Sequence, residues 1–410
     1  MYDKASIALI PSGTKASKLY SVLPANGDGD FTHTRGGTAT RVNKDGLIET
    51  VAANVPRLDY PLTNGVVGDC PHLLLEPSRT NLQVRSEEFD NSAWAKTNSS
   101  VSPNLGVAPD GSNNADKLIA DTSNNKHYIQ DITSSLTGVH RASVFAKADG
   151  YDYIEIGERA TGGARAVFNL STGVIETEVA SPNAKIENYG NGWYRCSIEE
   201  TMSSSSFAFR ISVSDNTTSD SSWTGNGVDG ILIWGAQLEA DYETSYIKTS
   251  GSAETRSADV CNDSGTSAEF NDSEGVLFAE IAAFANDSTT RQMSLSNGTT
   301  SNRIVLQFHN TTNQYRFFMI SGGTTVQSNF YTISDISAFN KIAYKYEENN
   351  IKVYINGTQV ITDTSATMPI GLDDLSFDAG NGANDLYGKV KQVIYFNEAL
   401  SDSELQTLTS

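Results

Sequence analysis

Cysteine is nearly absent from this 410-residue chain: Cys70, Cys196 and Cys261 stand far apart, odd in number and without a CxxC spacing. That excludes a disulfide framework and a cysteine-based zinc site, and the three are read as reduced, mostly buried thiols. Positive charge is also scarce, with 29 Lys and Arg against 49 Asp and Glu and a net charge of −20. A nucleic-acid surface needs clustered cations against phosphate, so nucleic acid is not an expected partner. The same charge opposes direct binding to an anionic membrane surface. No run approaches the ~18 apolar residues of a membrane helix, so no membrane insertion is expected. A sustained helical period is missing as well. The histidines, at His33, His72, His127, His140 and His309, are scattered with no Ser or Cys nucleophile motif beside them. A Gly-rich phosphate loop and a dinucleotide fingerprint are both missing.

What fills the chain instead is short β-prone runs separated by turn residues. Residues 1–82 carry weak periodicity punctuated by Asp28-Gly29, Gly36-Gly37, Asp45-Gly46 and Asn64-Gly65, turn signals that argue for an extended attachment or packing segment. Residues 83–262 alternate clearly. Arg141-Ala-Ser-Val-Phe-Ala-Lys, Tyr153-Ile-Glu-Ile, Ala166-Val-Phe-Asn-Leu and Phe207-Ala-Phe-Arg-Ile-Ser-Val read as half-buried strands, and Ile231-Leu-Ile-Trp as a strand buried on both faces. Strands at this spacing predict a β-sandwich or jelly roll. Residues 251–274 read as a polar connector, with 263–274 as the linker proper. A second sandwich is expected over 275–410, with strands at Gly275–Phe284, Arg303–Phe308, Tyr315–Ile320 and Lys341–Tyr346. The fold class is therefore all-β: two tandem sandwiches behind an irregular N-terminal segment.

The end of the chain is the most sharply written part. Two β-rich runs flank Asn356-Gly357, the signal for a two-residue hairpin turn with positive φ at both central residues. Gly388-Lys-Val-Lys-Gln-Val-Ile-Tyr-Phe reads as a strand, and Ser401 with Glu404 forms a capping-box pattern that opens one short helix. This layout resembles the end of a laminin-G-like, concanavalin-type domain, which implies binding of glycans or proteins rather than chemistry.

Three further blocks resemble a family of phage virion proteins, mostly tail or fibre components. The first is Arg41-Val-Asn-Lys-Asp-Gly-Leu-Ile-Glu-Thr-Val-Ala-Ala-Asn-Val-Pro-Arg-Leu-Asp-Tyr with Leu73-Leu-Leu-Glu-Pro-Ser-Arg-Thr-Asn-Leu. The second joins Ser86-Glu-Glu-Phe-Asp-Asn-Ser-Ala-Trp, Ala108-Pro-Asp-Gly and Asn191-Gly-Trp-Tyr-Arg-Cys. The third joins Ile233-Trp-Gly-Ala-Gln-Leu-Glu, Thr244-Ser-Tyr-Ile-Lys-Thr and Thr255-Arg-Ser-Ala-Asp-Val. The resemblance implies a carbohydrate-binding-module-like jelly roll in the middle and a modular, non-enzymatic virion appendage, a tail or head fibre. Its expected partners are other virion proteins, host cell-surface glycans and copies of itself, with a trimer favoured. A Ser-, Thr-, Asn- and Gly-rich chain whose opening residues lack the long apolar core of a signal peptide fits that reading. It would fold in the bacterial host cytoplasm and end in the virion. A decoration protein without a ligand, and a polysaccharide depolymerase, stand as alternatives.

Sugars are held by aromatic faces and planar polar groups. Trp223 lies in the polar stretch Thr217–Gly227 and is the leading glycan-binding candidate. Tyr151, Tyr331 and Tyr387, beside turns or strand ends, are secondary ones. Trp94, Trp193 and Trp234 lie in the family strings, and Trp193 and Trp234, within strand patterns, are expected in the core. For the depolymerase alternative, Asp373-Asp374-Leu-Ser-Phe-Asp378 is the nearest acidic cluster. It lacks the alternating Glu-x-Asp-x-x-Glu of concanavalin-type glycanases, so no catalytic residue is assigned and the cluster is read as a solvated turn or strand start. A structural calcium is compatible with the loop carboxylates Asp215, Asp220, Asp229, Asp259, Asp263 and Asp272, without an EF-hand spacing to locate it.

Overall fold

In the computed structural model, which describes residues 2–160, 163–181 and 183–410, the chain is all-β, as the periodicity predicts, with one α-helix, Asp402–Thr409, among the described residues. The middle sandwich is built from a ten-stranded antiparallel sheet that folds back on itself. Two long strands, His127–Asp149 and Trp193–Ser214, make this possible. They pair along their length, with the register shifting around Thr133–Thr137, and such irregularities let a strand bend from one layer into the other.

The first layer holds the start of His127–Asp149 and the end of Trp193–Ser214, with Ala95–Thr97, Tyr153–Glu158 and Arg165–Asn169. The second holds their other halves with Gly230–Ala240, Ala115–Ala120 and Lys185–Gly190. Ile129, Ile154, Ile156, Phe168, Phe209 and Ile211 of the first layer meet Leu118, Val144, Ile198, Ile231 and Ile233 of the second in one buried core. Ile231–Trp234 is buried on both faces, as read from its sequence, because Leu232 and Trp234 point outward into a separate cluster with Phe145, Trp193 and Tyr246.

The C-terminal sandwich differs: a five-stranded sheet faces an eight-stranded one across the main core. The hairpin Ile351–Ile355/Thr358–Asp363 turns at Asn356 (φ 47°) and Gly357 (φ 78°), the positive-φ pair expected of Asn-Gly. Strand Gly388–Phe396 and the capping box at Ser401 and Glu404 are also where the sequence puts them.

Residues 1–82 do not form a domain of their own; they pack on the C-terminal sandwich. Ile7–Leu9 and His72–Leu75 both pair with Gly388–Phe396, and Arg57–Asp59 adds to His72–Leu75. Ile7, Leu9, Phe31, Leu73 and Leu75 are buried in the C-terminal core. These strands are too short to stand alone, and they cover an edge that would otherwise be open.

Nor are residues 251–274 a free connector. Glu254–Arg256 pairs with Arg79–Asn81, Val260–Asn262 with Phe31–Thr34, and Ser264 bridges to Leu375. The polar character of this stretch serves a buried charge network. Asp259 accepts hydrogen bonds from Arg35 Nη1 (2.9 Å) and from Arg57, while Glu76 pairs with Arg57 and Arg256 (3.1 Å) and accepts from Ser245 N (2.8 Å). All five charged groups are at most 2% exposed. Pairing of this kind is what allows charge to leave water, and single charges so placed would be prohibitive.

Candidate functional site

The outer face of the second layer of the middle sandwich is where all three parts of the chain meet. Alternation along Lys185–Gly190 puts Lys185, Glu187 and Tyr189 on that face. Cross-strand register then lines up Glu187, Arg195, Phe145 and Trp234 as one row. The hairpin Ala39–Val42/Ile48–Val51 and strand Arg57–Asp59 form one wall, and Phe284, Phe339 and Lys389 of the C-terminal sandwich form another. Between them run two cavities of about 380 and 460 Å³ that share Val42, Asp59, Glu187, Tyr189 and Lys389 and so make a continuous cleft. A third cavity of about 350 Å³ lies on the far side of the hairpin, against Trp234 and Tyr246.

Behind the cleft lies a buried aromatic cluster, with Tyr189 at its partly exposed edge. Phe145 meets Tyr189 edge to face (4.9 Å, 89°), Trp234 at 5.4 Å and Tyr246 at 6.2 Å. Arg195 lies 5.5 Å over the Phe145 ring, donates to Thr244 O (2.8 Å) and sits 3.5 Å from Glu243, so its guanidinium is fixed from several sides. The Trp234 indole N–H is buried with no hydrogen-bond partner among the described residues. Glu187 reaches solvent, but the recess around it displaces water, and the nearby Glu243 charge adds repulsion. Both raise its pKa, against the pull of Arg195. His72 Nε2 lies 3.3 Å from Asp59, outside hydrogen-bonding alignment, and its ring stands edge-on to Phe339. The half-buried rings of Tyr189, Phe284 and Phe339, beside carboxylates and a lysine, suit a ligand with apolar C–H faces and many hydroxyls, and the volumes fall in the ordinary range of small-ligand sites.

The four residues singled out from sequence are not in this cleft. Trp223 and Tyr151 do come together, with ring centroids 4.7 Å apart, and His127 flanks Trp223 at 4.6 Å. But Trp223 is 7% exposed, on strand Trp223–Thr224 paired with Asn124–Asn125, and belongs to the middle core. The loop placement is corrected: a polar stretch surrounds the residue, yet apolar burial takes the indole inward and leaves no free face for a sugar. Tyr151 is half-buried against the same core. Tyr331 packs on the C-terminal core, and Tyr387, half-buried, donates from its hydroxyl to Asp385 (3.1 Å).

Trp193 and Trp234 are core residues as expected, and Trp94 is buried as well. Asp374 does open a strand, but Asp378 is buried rather than solvated, accepting from Gly382 N (2.9 Å), Gly380 N and Asn262 Nδ2 (3.0 Å). Among the described residues no group of three or more His, Cys, Asp or Glu side chains is arranged to hold a metal, and of the loop carboxylates considered for calcium, Asp259 and Asp220 are taken up by arginines and lysine.

The cleft was missed because its lining comes from strands far apart in sequence. One signal was available: the strings carrying the family resemblance supply Arg41, Asp59, Leu74, Glu76, Arg195, Trp234 and Tyr246, all at this junction.

Residues 278–406 match the model of the concanavalin A-like lectin/glucanases superfamily, a laminin-G-type family, so the C-terminal sandwich is similar to the domains of that superfamily. No curated protein matches the chain. Among solved structures, the CBM40 of the Ruminococcus gnavus IT-sialidase bound to α2,3-sialyllactose is 18% identical, over 34% of this chain and 84% of that one, with a TM-score of 0.30. The NanB sialidase of Streptococcus pneumoniae is 15% identical over 34% of this chain and 24% of its own, at a TM-score of 0.30. Domain 4 of AbnA, a GH43 extracellular arabinanase from Geobacillus stearothermophilus in complex with arabinotriose, is 12% identical over 42% and 83%, at a TM-score of 0.30.

Proposed function

We propose that this chain is a non-enzymatic phage virion protein, a tail or head fibre component, that binds host surface glycans in the junction cleft. The observation that carries the glycan reading is the cleft itself: the half-buried rings of Tyr189 and Phe284 face a recess of about 380 Å³ beside Glu187 and Lys389. The virion assignment rests on the sequence strings that resemble phage tail and fibre proteins. Display of several copies, with a trimer as the expected state, turns weak single-site contacts into useful avidity.

The test is binding of host surface polysaccharide fragments to the purified chain and to Tyr189→Ala. The variant is expected to lose about tenfold or more in affinity, as removal of a stacking aromatic at ~1.5 kcal/mol implies. Its melting temperature should stay close to wild type, since Tyr189 is only half-buried. Unchanged affinity in Tyr189→Ala would remove the cleft as the site, and blank binding with every fragment would leave a decoration role. A falling polymer size during incubation would replace the reading by depolymerisation. Immuno-gold labelling of intact virions tests the particle assignment: label at fibres supports it, and no label on any particle sinks it.

A further inference from the structure

The opposite outer face of the middle sandwich, on the first layer, carries a different arrangement. Two cross-strand rows run over it, Glu155–Ser212–Tyr128 and Gly157–Arg210–Gln130. The stretch 215–222 lies across them. Within it Asp220 adopts a left-handed φ of 61°, a conformation that Asp takes more readily than most residues. Its carboxylate takes Lys126 Nζ at 2.7 Å and Arg159 Nη2 at 2.7 Å, with Arg210 Nη1 at 3.8 Å, and its own N–H donates to Glu155 Oε2 (2.6 Å). Three cations on one loop carboxylate stand out in a chain of net charge −20.

Arg210 is held independently of the loop: its guanidinium lies 3.7 Å over the Tyr128 ring and its Nε donates to Gln130 (3.2 Å). Arg210 is therefore preformed on the sheet, and Lys126 and Arg159 join it at Asp220. Under the loop, Glu155 and Ser212 are buried, at 4% and 9% exposure. When the loop lifts they become an acceptor and a donor next to the cations, a combination that fits a ligand with both a carboxylate and hydroxyls.

We propose that this face is a second binding site, for a carboxylate-bearing sugar of the hexuronic acid class, with Asp220 as a built-in competitor that occupies the carboxylate position until ligand displaces it. The choice of a sugar as the carrier of the carboxylate rests on the glycan-binding reading above. A planar carboxylate between two guanidinium groups and an ammonium is charge-assisted recognition that any carboxylate of this shape can satisfy. Because the competitor is tethered, removing it raises apparent affinity by the reciprocal of the open fraction.

The experiment is calorimetric titration of the full chain and of Asp220→Asn and Asp220→Ala with sodium D-glucuronate, with sodium acetate and D-glucose as controls. Both variants are expected to bind glucuronate about tenfold more tightly than wild type, the gain for a loop closed nine-tenths of the time. Glucose should give no heat and acetate weaker binding than glucuronate. Adding Arg210→Gln to Asp220→Asn should abolish the gain. Equal glucuronate affinity in wild type and both variants would overturn the proposal. So would unfolding of both variants at the assay temperature, which would make the cluster a structural bridge. Acetate binding as tight as glucuronate would reduce it to a bare anion site and overturn the sugar assignment. Binding of polysaccharide fragments that depends on Tyr189 but not on Asp220 would leave the cleft reading standing while this one fails, so the two are separable.

Discussion

The two sandwiches reach the same architecture by opposite routes. The middle one is closed by its own chain: two strands of more than twenty residues bend through both layers, and its core draws on residues from Leu82 to Leu238. The C-terminal one takes strands from the other end of the chain, with Ile7–Leu9 and His72–Leu75 covering the edge of Gly388–Phe396 and Arg57–Asp59 adding to it. A sheet edge can thus be closed by length and bending, or by strands returning from far away in sequence. The second route makes the N-terminal residues part of the C-terminal fold, and it is this return that brings three chain segments together around the cleft. It also requires the buried charge network, because the returning strands arrive with Arg35, Arg57 and Glu76 and meet Arg256 and Asp259 away from water.

The largest test of this contrast is excision. Residues 83–250 expressed alone should unfold in one cooperative thermal transition. Residues 275–410 alone, lacking the strands that cover Gly388–Phe396, should show no cooperative melt by circular dichroism. A cooperative melt of 275–410 near the temperature of the whole chain would break the comparison.

Next in size is Arg57→Ala, which strands Asp259 and Glu76 without a central cation and should cost about 3–5 kcal/mol in denaturant unfolding. The same network sets an acid limit. Burial alone would raise Glu76, but Arg256, Arg57 and the Ser245 hydrogen bonds outweigh it and lower its pKa from 4.5 to about 2. Asp259 is shifted down as well, where burial is outweighed chiefly by Arg57, His33 and Arg35. Depressed carboxylates contribute stability that is present above their unfolded pKa and lost as pH falls through the folded value. Wild-type stability should therefore fall from about pH 4.5 toward pH 2, and the fall should be shallower in Arg57→Ala.

The smallest of the three is Trp223→Ala, expected to cost about 3 kcal/mol as a truncated buried aromatic. Glycan binding at the cleft should be unchanged. A variant with wild-type stability and lost binding would return Trp223 to the list of ligand contacts.

Much of the fold was legible from local pattern, since alternation, turn dipeptides and caps act within a few residues. Strand Gly388–Phe396, the Asn356-Gly357 hairpin, the capped helix and the doubly buried Ile231–Trp234 all stand where their residues put them. The site was less legible. Trp223 shows why: its polar neighbours describe the chain around it, while the direction of its side chain is settled by Tyr151 and His127, which lie far away in sequence. The stretch 251–274 is a second case, polar because it feeds a buried ion network rather than because it faces water.

The sequence by itself determined the class of fold, the scarcity of thiols and cations, and the local strands and turns, all set by short-range sterics and by burial averaged over a strand. Only the tertiary structure decided which strands share an edge, which charges pair out of water and where the cleft opens. Those outcomes depend on contacts between residues hundreds of positions apart, such as Ile7 with Tyr395 and Arg57 with Asp259, and no local pattern encodes the pairing of two distant segments.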